Sequence, residues 1–140
     1  MRFGFWPGPN NSWSDTLALA RHAETAGWHG IWYADHFMPN AEDTSGPTSE
    51  CWTTLAALAV AVPRVCIGAL VTGNTYRHPA VLAKMAANVD NISGGRCVFA
   101  TSSDPDDGLL SYLLRRGVIS LRDREETAKR LLSNKRVGTI

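Results

Sequence analysis

Residues 30–39 read GIWYADHFMP, a stretch that suits a buried strand with an abrupt polar end and little else. Ile31, Trp32, Tyr33 and Ala34 make a near-continuous apolar run, the pattern of a parallel strand covered on both faces, before Asp35 and His36 break it. A carboxylate and an imidazole just past the carboxyl end of such a strand stand where α/β enzymes place their chemistry. The alternative is local: Asp35 caps the loop and His36 packs beneath it.

The rest of the first hundred residues repeats the alternation of strand and helix. Residues 2–6 (RFGFW) read as a first strand, closed by Pro7 and Gly8. Ser14 suits the N-cap of a helix that carries Leu17, Ala20, Ala23 and Ala26 at helical spacing, with Asp15 favourable in its first turn and Gly27 as its stop. The second strand starts at Gly30, and the loop over residues 35–49, rich in Pro, Gly, Ser and acids, is long enough to suggest function. Residues 53–62 (TTLAALAVAV) predict a small-residue helix ended by Pro63, and residues 65–71 (VCIGALV) a third buried strand. Pro79 opens another helix at its favoured first position, with one apolar face through Val81, Leu82, Met85, Ala86, Val89 and Ile92. Gly94 and Gly95 end it, and residues 97–100 make a fourth strand.

Such alternation predicts parallel strands joined by right-handed crossovers. A closed (β/α)8 barrel takes about 250 residues, and this chain has 140. The expected fold class is α/β, a partial (β/α)8 TIM barrel of about four βα units.

Composition divides the chain and excludes several functions. Residues 1–100 hold six basic and seven acidic side chains, residues 101–140 eight and six, and Tyr112 is the sole aromatic beyond residue 100. The predicted organisation is therefore a barrel half at 1–100 and a divergent, charged, helical tail at 101–140. Within that tail Leu109, Leu110, Leu113 and Leu114 cluster on one side, and Arg115, Arg116, Lys135 and Arg136 read as solvated helix faces. A net charge of +1 gives no electrostatic footprint for nucleic acid. No apolar run reaches membrane-spanning length and no secretory leader is read, so the expectation is a soluble, cytoplasmic protein without a membrane partner. Cys51, Cys66 and Cys97 lack CxxC spacing and read as free, buried thiols. His22 and His29 are isolated, and no metal site is read from them. No GxGxxG, P-loop or nucleophile elbow occurs.

Three segments carry a family resemblance: RFGFW at the start, GIWYADHFMP at residues 30–39, and IGALVTGNTYRHPAVLAKMAANVDNISGGR at residues 67–96. Together, in order and spacing, they resemble the amino-terminal half of luciferase-like flavin- or deazaflavin-dependent oxidoreductases, a monooxygenase family, over about residues 1–99. The resemblance implies an isoalloxazine-type ring in the barrel mouth, from a deazaflavin coenzyme of the F-420 type or from FMN, and hydride transfer to or from a small-molecule substrate. It places Asp35 beside the ring as a hydrogen-bonding orienter and His36 as the ring-facing catalytic proton donor. Imidazole suits that task because its ordinary titration range lies near neutrality. It also implies a bulge with a non-proline cis peptide at Leu70–Val71 supporting one ring face, and Thr72 and Asn74 lining the same mouth. Gly73 would let the backbone approach a flat ligand closely.

Several residues keep two readings. Arg77 and His78 precede a helix start, where the cation could hold a phosphate or pair with a surface carboxylate. Trp13, Trp52 and Tyr76 line an aromatic pocket or pack between barrel and helices. Glu50 is a second acid/base or a first-turn complement to the helix dipole. Where the family carries a glycine-rich turn for the cofactor's phosphate-bearing tail, this chain reads TSSDPDDGLL, which sets carboxylates in place of backbone donors and is expected to weaken cofactor binding. The alternative function is a truncated, non-catalytic half-barrel that self-associates as a homo-oligomer through its open edges.

Overall fold

The computed structural model describes residues 2–73 and 75–99, so the expected charged tail and Asn74 lie outside the described residues. Elements follow in the order β1 (Gly4–Phe5), α1 (Trp13–Thr25), β2 (Gly30–Tyr33), α2 (Cys51–Ala61), β3 (Cys66–Ala69), α3 (Pro79–Ser93) and β4 (Cys97–Val98). The sheet runs β1-β2-β3-β4 with every neighbouring pair parallel. Each helix is thus a crossover between adjacent strands, which is the wall of a (β/α) barrel. The described residues form part of such a barrel.

Capping decides where the helices begin. Ser12, not Ser14, is the N-cap of α1: Ser12 is extended, and its Oγ accepts the Asp15 N–H at 3.1 Å. Ser14 already lies inside the first turn, where its hydroxyl cannot serve as the boundary acceptor. Gly27 follows the helix with φ +81, a left-handed conformation that glycine adopts without strain. The second helix starts two residues before the predicted Thr53, because the Glu50 carboxylate caps it by accepting from Trp52 N–H at 3.1 Å and Thr53 N–H at 2.7 Å. Pro79 opens α3 as the sequence predicts, and Gly94 ends it in the left-handed region.

The strands are shorter than the sequence reading because a ladder lasts only while a partner runs beside it. Tyr33 of β2 pairs with Ala69 of β3, and the Leu70 N–H makes one more bond to the Tyr33 carbonyl at 2.9 Å. Beyond that point both chains leave the sheet. The carboxyl ends of β2 and β3 therefore finish at one level.

One face of the sheet builds the core. Ile31, Tyr33, Ile67, Ala69 and Cys97 meet Ala20 from α1, Leu55 and Leu58 from α2, and Leu82, Ala86 and Val89 from α3. Trp52 is buried in this cluster, 6.0 Å from the Phe99 ring, so its role is packing. On the other face Trp32 lies across glycines: a Cβ at Gly4 would come within 1.8 Å of the indole Nε1. Arg96 stitches the layers together at the opposite end, donating to the carbonyls of Ala59 (2.6 Å), Val62 (2.9 Å) and Val65 (2.6 Å). Those carbonyls end α2 and lead into β3, and a cation satisfies several of them at once.

Candidate functional site

At the shared end of β2 and β3, two loops knot together around Asp35. Its side chain is fully excluded from solvent. Oδ2 accepts from Arg77 Nη1 at 2.7 Å and from the Gly73 N–H at 3.0 Å, while Oδ1 accepts from Arg77 Nη2 at 2.8 Å. This two-point fork is the strongest geometry a guanidinium and a carboxylate share. Arg77 Nη2 also donates to Glu50 Oε1, so the cation links the end of β2, the cap of α2 and the loop before α3.

The electrostatics follow from these contacts. Hydrogen bonding to Asp35 raises the Arg77 guanidinium above its ordinary value, with Glu50 adding to the effect against the cost of burial. Burial pushes the Glu50 carboxyl up, yet hydrogen bonds from Thr53, Trp52 and Arg77 outweigh it and hold the group below its usual range.

Aromatic contacts close the knot. Phe37 stacks on Tyr76 with ring centroids 4.4 Å apart and an interplanar angle of 26°. The Arg77 guanidinium lies 5.5 Å from the Phe37 centroid. Tyr76 itself crosses Gly73 so closely that a Cβ there would sit 2.5 Å from its ring.

His36 stands half-buried between Asp35 and Phe37. On the neighbouring strand end, the peptide between Leu70 and Val71 is cis, and both side chains are exposed. Thr72 is fully buried, and its hydroxyl has no partner among the described residues. The structure thus brings Asp35, His36, Leu70, Val71 and Thr72 to adjoining strand ends, with His36, Leu70 and Val71 reachable from outside and Asp35 and Thr72 beneath them. Exposed apolar side chains and a half-buried imidazole thus follow the same end of the sheet.

The open readings of the sequence resolve around Arg77. Its side chain is 9% exposed and committed to Asp35 and Glu50, which makes the pair an internal one and leaves the cation unavailable to a phosphate. Glu50 is the cap of α2 and the second acceptor of Arg77. His78 caps α3, its Nδ1 accepting the Ala80 N–H at 3.2 Å. Tyr76 sits in the knot, Trp13 on the exposed first turn of α1. Sequence reasoning missed the pairing of Asp35 with Arg77. No local signal marks it, because the partners are 42 residues apart.

Comparisons with known proteins bear on the fold and the family. The family model described as luciferase-like monooxygenase matches residues 1–106. The chain is 34% identical over 91 residues to an F420-dependent glucose-6-phosphate dehydrogenase of Amycolatopsis mediterranei, covering 64% of this chain and 27% of that protein. It is 35% identical over 81 residues to an F420-dependent hydroxymycolic acid dehydrogenase of Mycobacterium tuberculosis, covering 57% and 22%. The chain spans about a quarter of the length of these curated relatives. In fold it is similar to a coenzyme F420-dependent tetrahydromethanopterin reductase of Methanopyrus kandleri, with a TM-score of 0.63, 23% identity, and coverage of 86% of this chain and 30% of that one.

Proposed function

The chain belongs to the luciferase-like monooxygenase family, and on that premise we propose that its strand-end site serves an oxidoreductase that uses a deazaflavin or FMN to move a hydride to or from a small organic substrate. The observation that carries this reading is that half-buried His36 and exposed Leu70 and Val71 follow the ends of two paired, neighbouring strands, where Tyr33 lies opposite Ala69. The F420-dependent names of two relatives favour the deazaflavin. When bound, such a ring supplies the hydride chemistry.

The chain's own groups supply position and a proton. Leu70 and Val71 give the ring an apolar face to rest on. His36 holds an exchangeable proton at a ring nitrogen and passes it to or from the substrate as charge develops. Asp35 acts from below, fixing the backbone that carries His36, and Thr72 shapes the floor. Asn74, the remaining residue of the proposed cofactor set, lies outside the described residues.

Titrating the protein separately with the deazaflavin coenzyme and with FMN, followed by absorbance and fluorescence, tests the reading. Saturable binding of one ring, lost when Leu70 and Val71 are replaced by Asp, is the expected result. Absence of binding by both rings would overturn it.

A second reading rests on the sheet edges. In the described sheet β1 and β4 each have one neighbour, and an open edge invites pairing with another copy. Sedimentation over a range of concentrations decides: a monomer throughout removes this reading.

A further inference from the structure

His36 sits between two pinned neighbours. Asp35, before it, is held by both Nη atoms of Arg77 at 2.7 and 2.8 Å. Phe37, after it, stacks on Tyr76 at 4.4 Å. Both pins come from one consecutive pair, Tyr76 and Arg77, in the loop between β3 and α3. That same loop begins at the Leu70–Val71 edge, and its Gly73 N–H donates to Asp35 at 3.0 Å. The Tyr76 ring lies against the Gly73 backbone, so the loop is folded onto its own start.

We propose that Tyr76 and Arg77 form a brace that fixes His36 relative to the Leu70–Val71 edge, with both acting as positioning residues for whatever flat ligand binds there. The inference rests on reading this mouth as a ring site. Fixing the backbone on both sides of one imidazole removes conformational freedom before a ligand arrives, so less is lost on binding. Burying Asp35 and Arg77 away from the ligand serves the same end, since a committed ion pair does not compete for ligand atoms. An ion pair that only stabilised the loops would have no need of the second pin on Phe37.

The test uses the full chain with ¹⁵N-labelled histidine, followed by NMR without and with the deazaflavin coenzyme. Tyr76→Ala removes one pin and leaves no buried charge unpaired. It is expected to shift and broaden the His36 side-chain resonances while those of His22, on α1, stay put. The dissociation constant of the ring is expected to rise roughly 10- to 100-fold, the usual cost of losing an orienting neighbour. Tyr76→Phe keeps the stack and restores both readouts, and Arg77→Lys, which keeps the cation but loses the fork, reproduces the His36 shift. Unchanged His36 resonances in Tyr76→Ala with ring affinity within about twofold of the parent would overturn the brace. If the parent binds neither ring, the ring-site reading fails by itself, and the His36 resonances of the free protein still decide whether the brace exists.

Discussion

Asp35 and Arg77 meet across 42 residues as a two-point ion pair whose carboxylate is closed off from water. A charge buried with its partner is tolerable, whereas a charge buried alone is not. Arg77→Ala should destabilise the fold by about 3–5 kcal/mol, because it strands the buried Asp35 carboxylate, and Asp35→Ala should cost less, because Arg77 keeps Glu50 as a partner. The double replacement Asp35→Leu with Arg77→Met should recover most of that loss. Urea denaturation of the three variants checks it, and a double variant as unstable as the sum of the singles would refute the account.

Gly73 bears on the aromatic stack. A Cβ at this position would meet the Tyr76 ring at 2.5 Å, and Tyr76 is 44% exposed, so the ring can swing outward. Gly73→Ala should therefore cost about 0.5–1.5 kcal/mol, the worth of an aromatic pair, with little change in the core. Near-ultraviolet circular dichroism should lose the Phe37–Tyr76 contribution while the far-ultraviolet spectrum holds.

Glu50 makes stability depend on acid. Its carboxyl titrates below the usual range in the folded protein, so the folded state binds fewer protons than the unfolded state around that range. The stabilisation is present above the ordinary carboxylate value and is lost as pH falls through the folded value. Urea midpoints measured from about pH 6 down to pH 3 should fall more steeply for the parent than for Glu50→Gln. Equal slopes would mean that the cap contributes nothing through its charge.

Cys51 and Cys97, both buried, should be inert in the folded state, whereas Cys66, read as buried from the sequence, is only half-buried. Burial raises the Cys51, Cys66 and Cys97 thiols, Cys97 to about 12. The thiolate is the reactive form. Iodoacetamide at mildly alkaline pH should leave Cys51 and Cys97 of the native protein unlabelled and modify all three positions after denaturation, as read by mass spectrometry. Rapid native labelling of Cys51 or Cys97 would contradict the packing described.

Arg96 anchors the far end of the sheet. Arg96→Met removes donors from the carbonyls of Ala59, Val62 and Val65. The expected loss is about 2–3 kcal/mol, the scale of hydrogen bonds to a charged group. Thermal unfolding checks it, with Val60→Ala, at a 73% exposed position, as a control expected to change little.

The order of strands and helices was legible along the chain because its signals are local. Apolar runs at Ile31–Tyr33 and Ile67–Ala69, Pro79 at a helix start and Gly94 at a helix end each act within a turn or a few residues. The polar end of β2 was legible for the same reason: Asp35 and His36 interrupt an apolar run. Even the local signals blurred where two residues competed. Ser12 and Ser14 are both good caps, and only the backbone conformation selects Ser12.

What the sequence determined by itself was a parallel α/β wall with an acid and an imidazole at the end of its second strand. What only the tertiary structure decided was what surrounds each of them. Asp35 is buried because Arg77 and the Gly73 N–H, far along the chain, converge on it, and His36 is left half-buried between two pinned neighbours. Periodicity and capping follow from each residue's immediate neighbours, whereas the partner of a buried charge is fixed by which loops the sheet register brings side by side.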